Sequence, residues 1–204
     1  MGENDKKNSR RNGIFFVKRG AIEKEDKDIY IYGSELLISE IICTLLVVVI
    51  SLCTGKFIET VIYLWSYIML RVYAGGYHAS SHRNCITIFN LCYIGVLCIV
   101  EALRYFDILK LLDIVTFIAT IIIFSMAPIE DLRKPLDKEE KYIYRKKSRK
   151  RVLLLFLFVI IMNRIFPQFK GKVCYGAIAI CEVSLLLLVG YIKNKRVIYH
   201  KEIM

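Results

Sequence analysis

No stretch of this chain matches the phosphate-binding loop G-x4-G-K-[S/T], which argues against ATP-driven transport by this polypeptide alone. Its first 35 residues are charged throughout and hold no apolar h-region, so a cleavable signal peptide is not expected and the first apolar run would itself direct insertion. Seven cysteines form an odd set. Cys43, Cys53, Cys92, Cys98 and Cys181 lie inside apolar runs, where they read as small core residues rather than as parts of a disulfide framework. Histidine is scarce as well: there are 3, and two fall within fifteen residues, Arg71 to Cys85.

Apolar residues, by contrast, are abundant. The hydrophobic fraction is 56% and the mean hydropathy +0.46, more than a soluble domain usually carries. They also come in blocks near the length of about 20 residues that crosses a bilayer. Six such runs stand out: Leu36–Cys53, Phe57–Tyr73, Cys85–Val100, Ile108–Ile129, Val152–Phe169 and Val173–Ile192. The expected fold is therefore an all-α, polytopic integral membrane bundle of about six transmembrane helices. Residues 9–28 mix Ile14, Phe15, Phe16, Val17 and Ile22 with basic residues, as an N-terminal interfacial amphipathic helix would. Short connections at Thr54–Lys56 and Pro167–Gly171 imply antiparallel neighbours.

The net charge of +11 could suggest nucleic acid, but its distribution favours a membrane and no nucleic-acid partner is expected. With both termini inside, the N-terminal tail, residues 71–84, residues 130–151 and the C-terminal tail hold 24 of the 30 Lys and Arg residues. This split follows the positive-inside rule. It places both termini and the Arg71–Cys85 loop in the cytoplasm of a multi-pass membrane protein. The expected organisation is one membrane-embedded domain over 1–204. Within it lie a cytoplasmic or interfacial segment at 1–30, a catalytic loop at 71–85 and a basic cytoplasmic loop at 130–151. That basic loop suits anionic lipid headgroups or an acidic partner segment. Glu40 and Glu182 sit inside apolar runs, where an acid is costly and faces a bundle interior or a water-filled cavity, so both are candidate secondary site residues.

The stretch R-V-Y-A-G-G-Y-H-A-S-S-H-R-N-C gathers more chemistry than any other. A cysteine nucleophile acts as the thiolate, which a nearby base, cationic neighbours and a helix N-terminus all favour. Cys85 opens an apolar run two residues after Arg83 and follows both His78 and His82. On a continuous helix His82 would adjoin Cys85, whereas His78 would stand about 10 Å away along the axis. The Gly75–Gly76 pair lets the chain leave the helix and fold back, which could bring His78 over Cys85 instead. Spacing leaves the two histidines even. A competing arrangement uses His78, His82 and Cys85 as zinc ligands, but it lacks the acidic base of H-E-x-x-H. A non-enzymatic peptide transporter or membrane scaffold relying on Glu40, Glu182 and the basic loop is a further alternative.

The pattern R-x-Y-A-G-G-Y-H-A-x5-C resembles the signature of the accessory gene regulator B (AgrB) family, membrane endopeptidases that process quorum-sensing pro-peptides. I-Y-I-Y-G-S-E-L-L-I-S-E at 29–40 is similar to the family's first span, and A-P-I-E-D-L-R-K-P-L at 127–136 resembles its proline-bracketed segment. The resemblance implies a cysteine endopeptidase with His78 and Cys85 as the catalytic pair, Arg71, Gly75 and Gly76 shaping the site, and His82 at a variable position. It implies cleavage of the C-terminal tail of an AgrD-like pro-peptide through an acyl-enzyme thioester, then cyclisation to a thiolactone or lactone. It also implies a homodimer in the bacterial cell membrane, with neither cofactor nor metal required.

Overall fold

The computed structural model describes the backbone of residues 27–77, 82–106, 108–130 and 136–203, and the side chains of 38–77, 84–106, 108–130 and 136–197. The expected interfacial helix at 9–28 lies almost entirely outside the described residues.

Among the described residues six long helices follow one another: α1 (Lys27–Thr54), α2 (Phe57–Ala74), α3 (His82–Tyr105), α4 (Leu109–Met126), α5 (Lys138–Ile165) and α6 (Lys170–Ile203). A short 3-10 turn, Pro167–Phe169, leads into α6. No strand occurs among the described residues, and the expected all-α membrane bundle is what forms. Among the described residues, four segments are long and apolar enough to cross a bilayer: Phe57–Ala74, Asn84–Tyr105, Leu109–Met126 and Pro167–Val197. Ile38–Thr54 is a shorter apolar helix.

The chain divides into two compact units, one of Met1–Val49 with Ala79–Cys92, the other of Ile50–His78 with Tyr93–Met204. In the second unit α6 is the central helix. It packs against α2, α4 and α5, and 67% of its apolar span is buried. The core joins Leu70 and Ala74 of α2, Ala119 and Ile123 of α4, Val152 and Leu155 of α5, and Ile180, Val183 and Leu187 of α6. Small residues on α6 permit close approach, as at Gly176, where an added Cβ would stand 3.2 Å from Ser66 Oγ. Outward faces remain apolar, with Ile114, Phe117, Ile118 and Ile121 of α4 all exposed. Exposed apolar area on that scale suits lipid and not water.

The stretch expected as a basic loop at 130–151 is helical from Lys138 onward and continuous with the span that follows. Lys, Arg and Glu are good helix formers, and Asp137 with Glu140 makes a complete capping box at the start. Its cations are tied to the bundle. Arg149 donates to the Phe124 carbonyl at 2.9 Å and lies over the Phe124 ring. Arg151 donates to Met69 O at 2.9 Å, with its guanidinium 4.1 Å from the Tyr73 ring centroid. At the other end of this unit, Lys56 and Arg104 share the Glu101 carboxylate at 2.9 and 3.0 Å, and Arg104 also reaches the Gly171 carbonyl.

Candidate active site

The backbone leaving α2 carries the first part of the signature stretch. Gly75 ends the helix with φ of 67° and Gly76 follows with φ of 112°, a pair of conformations that L side chains rarely adopt. This departure from the helix agrees with what the Gly-Gly pair predicts. What the sequence did not indicate is where the departing chain goes.

It runs beside Ile129. The Ile129 amide donates to Ala74 O at 3.0 Å and the Gly76 amide donates to Ile129 O at 2.9 Å, forming a single parallel bridge between Gly75 and Ile129. The Tyr77 amide then donates to Leu186 O of α6 at 2.9 Å. That α6 carbonyl therefore accepts a bond from outside its helix. The Arg71 guanidinium closes the arrangement by donating to the carbonyls of both Gly75 and Tyr77. A fork of two N–H donors on one rigid plane is what such a double contact needs, and Arg supplies it.

Two glycines are required by proximity. A Cβ on Gly75 would collide with the Ile129 carbonyl oxygen. A Cβ on Gly190 of α6 would lie 2.7 Å from Tyr77 N and 2.9 Å from Gly76 C. Gly190 was missed from the sequence because a glycine inside an apolar run reads as ordinary helix packing.

The proline-bracketed segment is held in turn. Its Ala127–Pro128 bond is cis. Asn194 Nδ2 of α6 donates to Glu130 O at 2.9 Å, and the Glu130 carboxylate accepts from the Leu136 amide and from Lys141 Nζ, each at 2.9 Å. The Leu136 amide first, and then Lys141, hold the Glu130 carboxyl below its ordinary range, while partial burial opposes them. Lys193 lies 4.8 Å from the Tyr77 ring centroid.

Of the expected site residues, the structure brings Arg71, Gly75 and Gly76 together, and Glu182 of α6 accepts a 2.6 Å hydrogen bond from Tyr63 Oη of α2. In the other unit, Cys85 is partly buried in the first turn of α3. His82 is the first residue of α3, though its side chain is outside the described set. His78 is also outside it, and with it the geometry of the zinc alternative. Among the described residues no group of three or more His, Cys, Asp or Glu could hold a metal ion.

The family profile described as accessory gene regulator B matches residues 12–192, from before α1 through the apolar part of α6. This chain belongs to the accessory gene regulator B family. An AgrB-like protein of Clostridium perfringens strain SM101 is 30% identical over 146 residues, covering 69% of this chain and 68% of its own length. A second, from strain 13 of the same species, is 30% identical over 155 residues, covering 73% and 72%. A Listeria innocua AgrB-like protein is 27% identical over 160 residues, covering 76% of each chain. No solved structure matches. AgrB membership and the four apolar helices make this a membrane protein and support a role in quorum-sensing peptide processing. In this AgrB chain the matched region contains both the Gly75–Tyr77 segment and the Ile129 and Leu186 carbonyls that hold it.

Proposed function

We propose that this AgrB protein is a cysteine endopeptidase that removes the C-terminal tail of an AgrD-like pro-peptide and promotes cyclisation of the remainder. One observation carries most of this reading. The backbone leading into His78 is fixed by Arg71, Ile129 and Leu186 up to its immediate neighbour Tyr77, whereas a merely connecting loop would need no such anchoring. Catalysis does need it, since a displacement of about 1 Å at a reacting group costs on the order of 100-fold in rate.

In the reaction, His78 takes the proton of the Cys85 thiol and the sulfur attacks one peptide carbonyl of the bound pro-peptide. The first turn of a helix offers free amide donors and a positive dipole end, which favour negative charge at a residue placed as Cys85 is. The tetrahedral intermediate collapses with breakage of the C–N bond, and the His78 imidazolium returns its proton to the departing amine. The tail leaves and the rest of the peptide stays bonded to Cys85 as a thioester. An internal cysteine or serine then attacks that thioester, releasing Cys85 and closing a thiolactone or lactone ring. Thioester exchange is close to isoenergetic, so keeping water out decides between ring and hydrolysed product.

The proposal includes a cytoplasmic position for this site and for both termini, and association of two copies. For orientation the support is charge: Arg71, Lys141, Arg149, Arg151 and Lys193 all lie at the loop end of the second unit, as expected of a cytoplasmic face. The test is co-expression with a pro-peptide tagged at its C-terminus, followed by blotting for the free tail. Cys85→Ala and His78→Ala are expected to abolish release and His82→Ala to retain it. Undiminished release by Cys85→Ala would remove the nucleophile assignment. Loss of activity to a chelator would instead favour the zinc alternative.

A further inference from the structure

Asparagine is a weak helix former because its side-chain amide competes for backbone groups. Asn194 nevertheless lies well inside α6, which continues to Ile203, so it caps no helix end. Its Nδ2 instead donates to Glu130 O at 2.9 Å, 64 residues away along the chain.

Glu130 directly follows Ile129, the residue with which the signature segment pairs. The Ile129 amide donates to Ala74 O at 3.0 Å, and the Ile129 carbonyl accepts from the Gly76 amide at 2.9 Å. The carbonyl gripped by Asn194 thus adjoins that pairing. The Glu130 carboxylate is occupied separately, by the Leu136 amide and by Lys141 Nζ of α5, each at 2.9 Å. Its side chain ties the residue to α5 and its carbonyl ties it to α6.

Positions four apart share one face of a helix, and Leu186, Gly190 and Asn194 are spaced in this way. Leu186 O takes the Tyr77 amide, Gly190 leaves room for the Gly76 and Tyr77 backbone, and Asn194 takes the Glu130 carbonyl. One stripe of α6 therefore holds the chain on both sides of the Gly75–Ile129 bridge. Of these three contacts only that of Asn194 is made by a side-chain group.

We propose that Asn194 is a positioning residue: its side-chain amide pins the Ile129–Glu130 backbone to α6 and, through the Gly75–Ile129 bridge, fixes the segment that presents His78. Asn194 touches no reacting atom in this role. Its consequence for activity rests on the peptidase reading above, whereas its consequence for the bridge does not.

The test uses two variants. Asn194→Asp keeps the shape and exchanges the amide donor for an acceptor, and Asn194→Ala removes the group. Purified full-length protein in nanodiscs is compared by hydrogen exchange resolved to the Gly76 and Ile129 amides, alongside steady-state tail release. Exchange at these two amides should quicken roughly tenfold in both variants, as loss of one hydrogen bond implies, with α6 amides between Ile178 and Val183 unchanged. The kcat for tail release should fall roughly tenfold or more with KM little changed, because the reacting group is misplaced while the peptide still binds. Wild-type exchange at Gly76 and Ile129 in Asn194→Asp overturns the proposal. So does a quickening spread evenly along α6, which would mark a general packing role, or a raised KM with kcat intact, which would mark a peptide contact. Should the wild type release no tail, the peptidase reading fails while the exchange comparison still decides the role of Asn194.

Discussion

Gly190→Ala isolates the contact between α6 and the signature segment. The new methyl would lie 2.7 Å from Tyr77 N, 2.9 Å from Gly76 C and 3.1 Å from Gly76 Cα. All three are backbone atoms, so no side chain can rotate away, and either the segment or α6 must shift. Alanine gains about 1 kcal/mol over glycine in helix propensity. Overpacking a close contact costs about 1–3 kcal/mol. Displacing Tyr77 also strains its 2.9 Å bond to Leu186 O, and an unpaired buried donor costs about 1–3 kcal/mol. The losses exceed the gain, so a net destabilisation of about 1–5 kcal/mol is expected from these terms. Tail release should fall further than stability does, by on the order of 100-fold, because the displaced backbone carries His78. Gly95→Ala is the control: an added Cβ there meets nothing within 4 Å, so stability should hold or rise. Thermal unfolding in detergent and tail release by matched membrane preparations make the comparison. Wild-type cleavage by Gly190→Ala with an unchanged Tm would refute the idea that the segment needs this close approach.

Arg71→Lys keeps a charge but cannot span the Gly75 and Tyr77 carbonyls with one planar fork, so tail release should drop by roughly tenfold or more with the protein still inserted. Glu130 contributes through its lowered pKa: the folded state favours the ionised form, so the contribution is present above the ordinary carboxylate range and fades as pH falls through the depressed folded value. The Tm advantage of wild type over Glu130→Gln should therefore be full at neutral pH and shrink in acid; an advantage that persists unchanged to roughly pH 3 would contradict the assignment. Asp137→Ala removes the cap that accepts from the Glu140 amide at 2.7 Å and should cost about 1 kcal/mol, read as a small fall in Tm with tail release intact.

The helices were legible because each span is an apolar block bounded by polar or glycine-containing connections, and hydropathy depends on composition alone. The helical start of α5 was not read from charge, although Asp137-x-x-Glu140 is a capping signal that a local search would have found. The Gly-Gly pair correctly indicated that the chain leaves α2. Its destination was hidden for a physical reason: Ile129 and Leu186 receive the segment through backbone carbonyls, and any residue supplies the same carbonyl. Gly190 was not legible in the sequence, since the need for a bare Cα arises from a partner more than a hundred residues earlier. Glu182 was visible as an acid out of place in an apolar run, but its partner Tyr63 on α2 emerges only from folding.

The central claim is that Cys85 becomes bonded to the pro-peptide. The most direct measurement is intact-protein mass spectrometry of the purified chain in nanodiscs, quenched with acid during turnover of a synthetic pro-peptide, followed by fragmentation to place any adduct. An added mass equal to the pro-peptide minus its tail, mapped to Cys85, absent in Cys85→Ala and lost on treatment with hydroxylamine, is the expected result. Release of the tail at the wild-type rate with no adduct at any time, or with Cys85 alkylated beforehand, would contradict it.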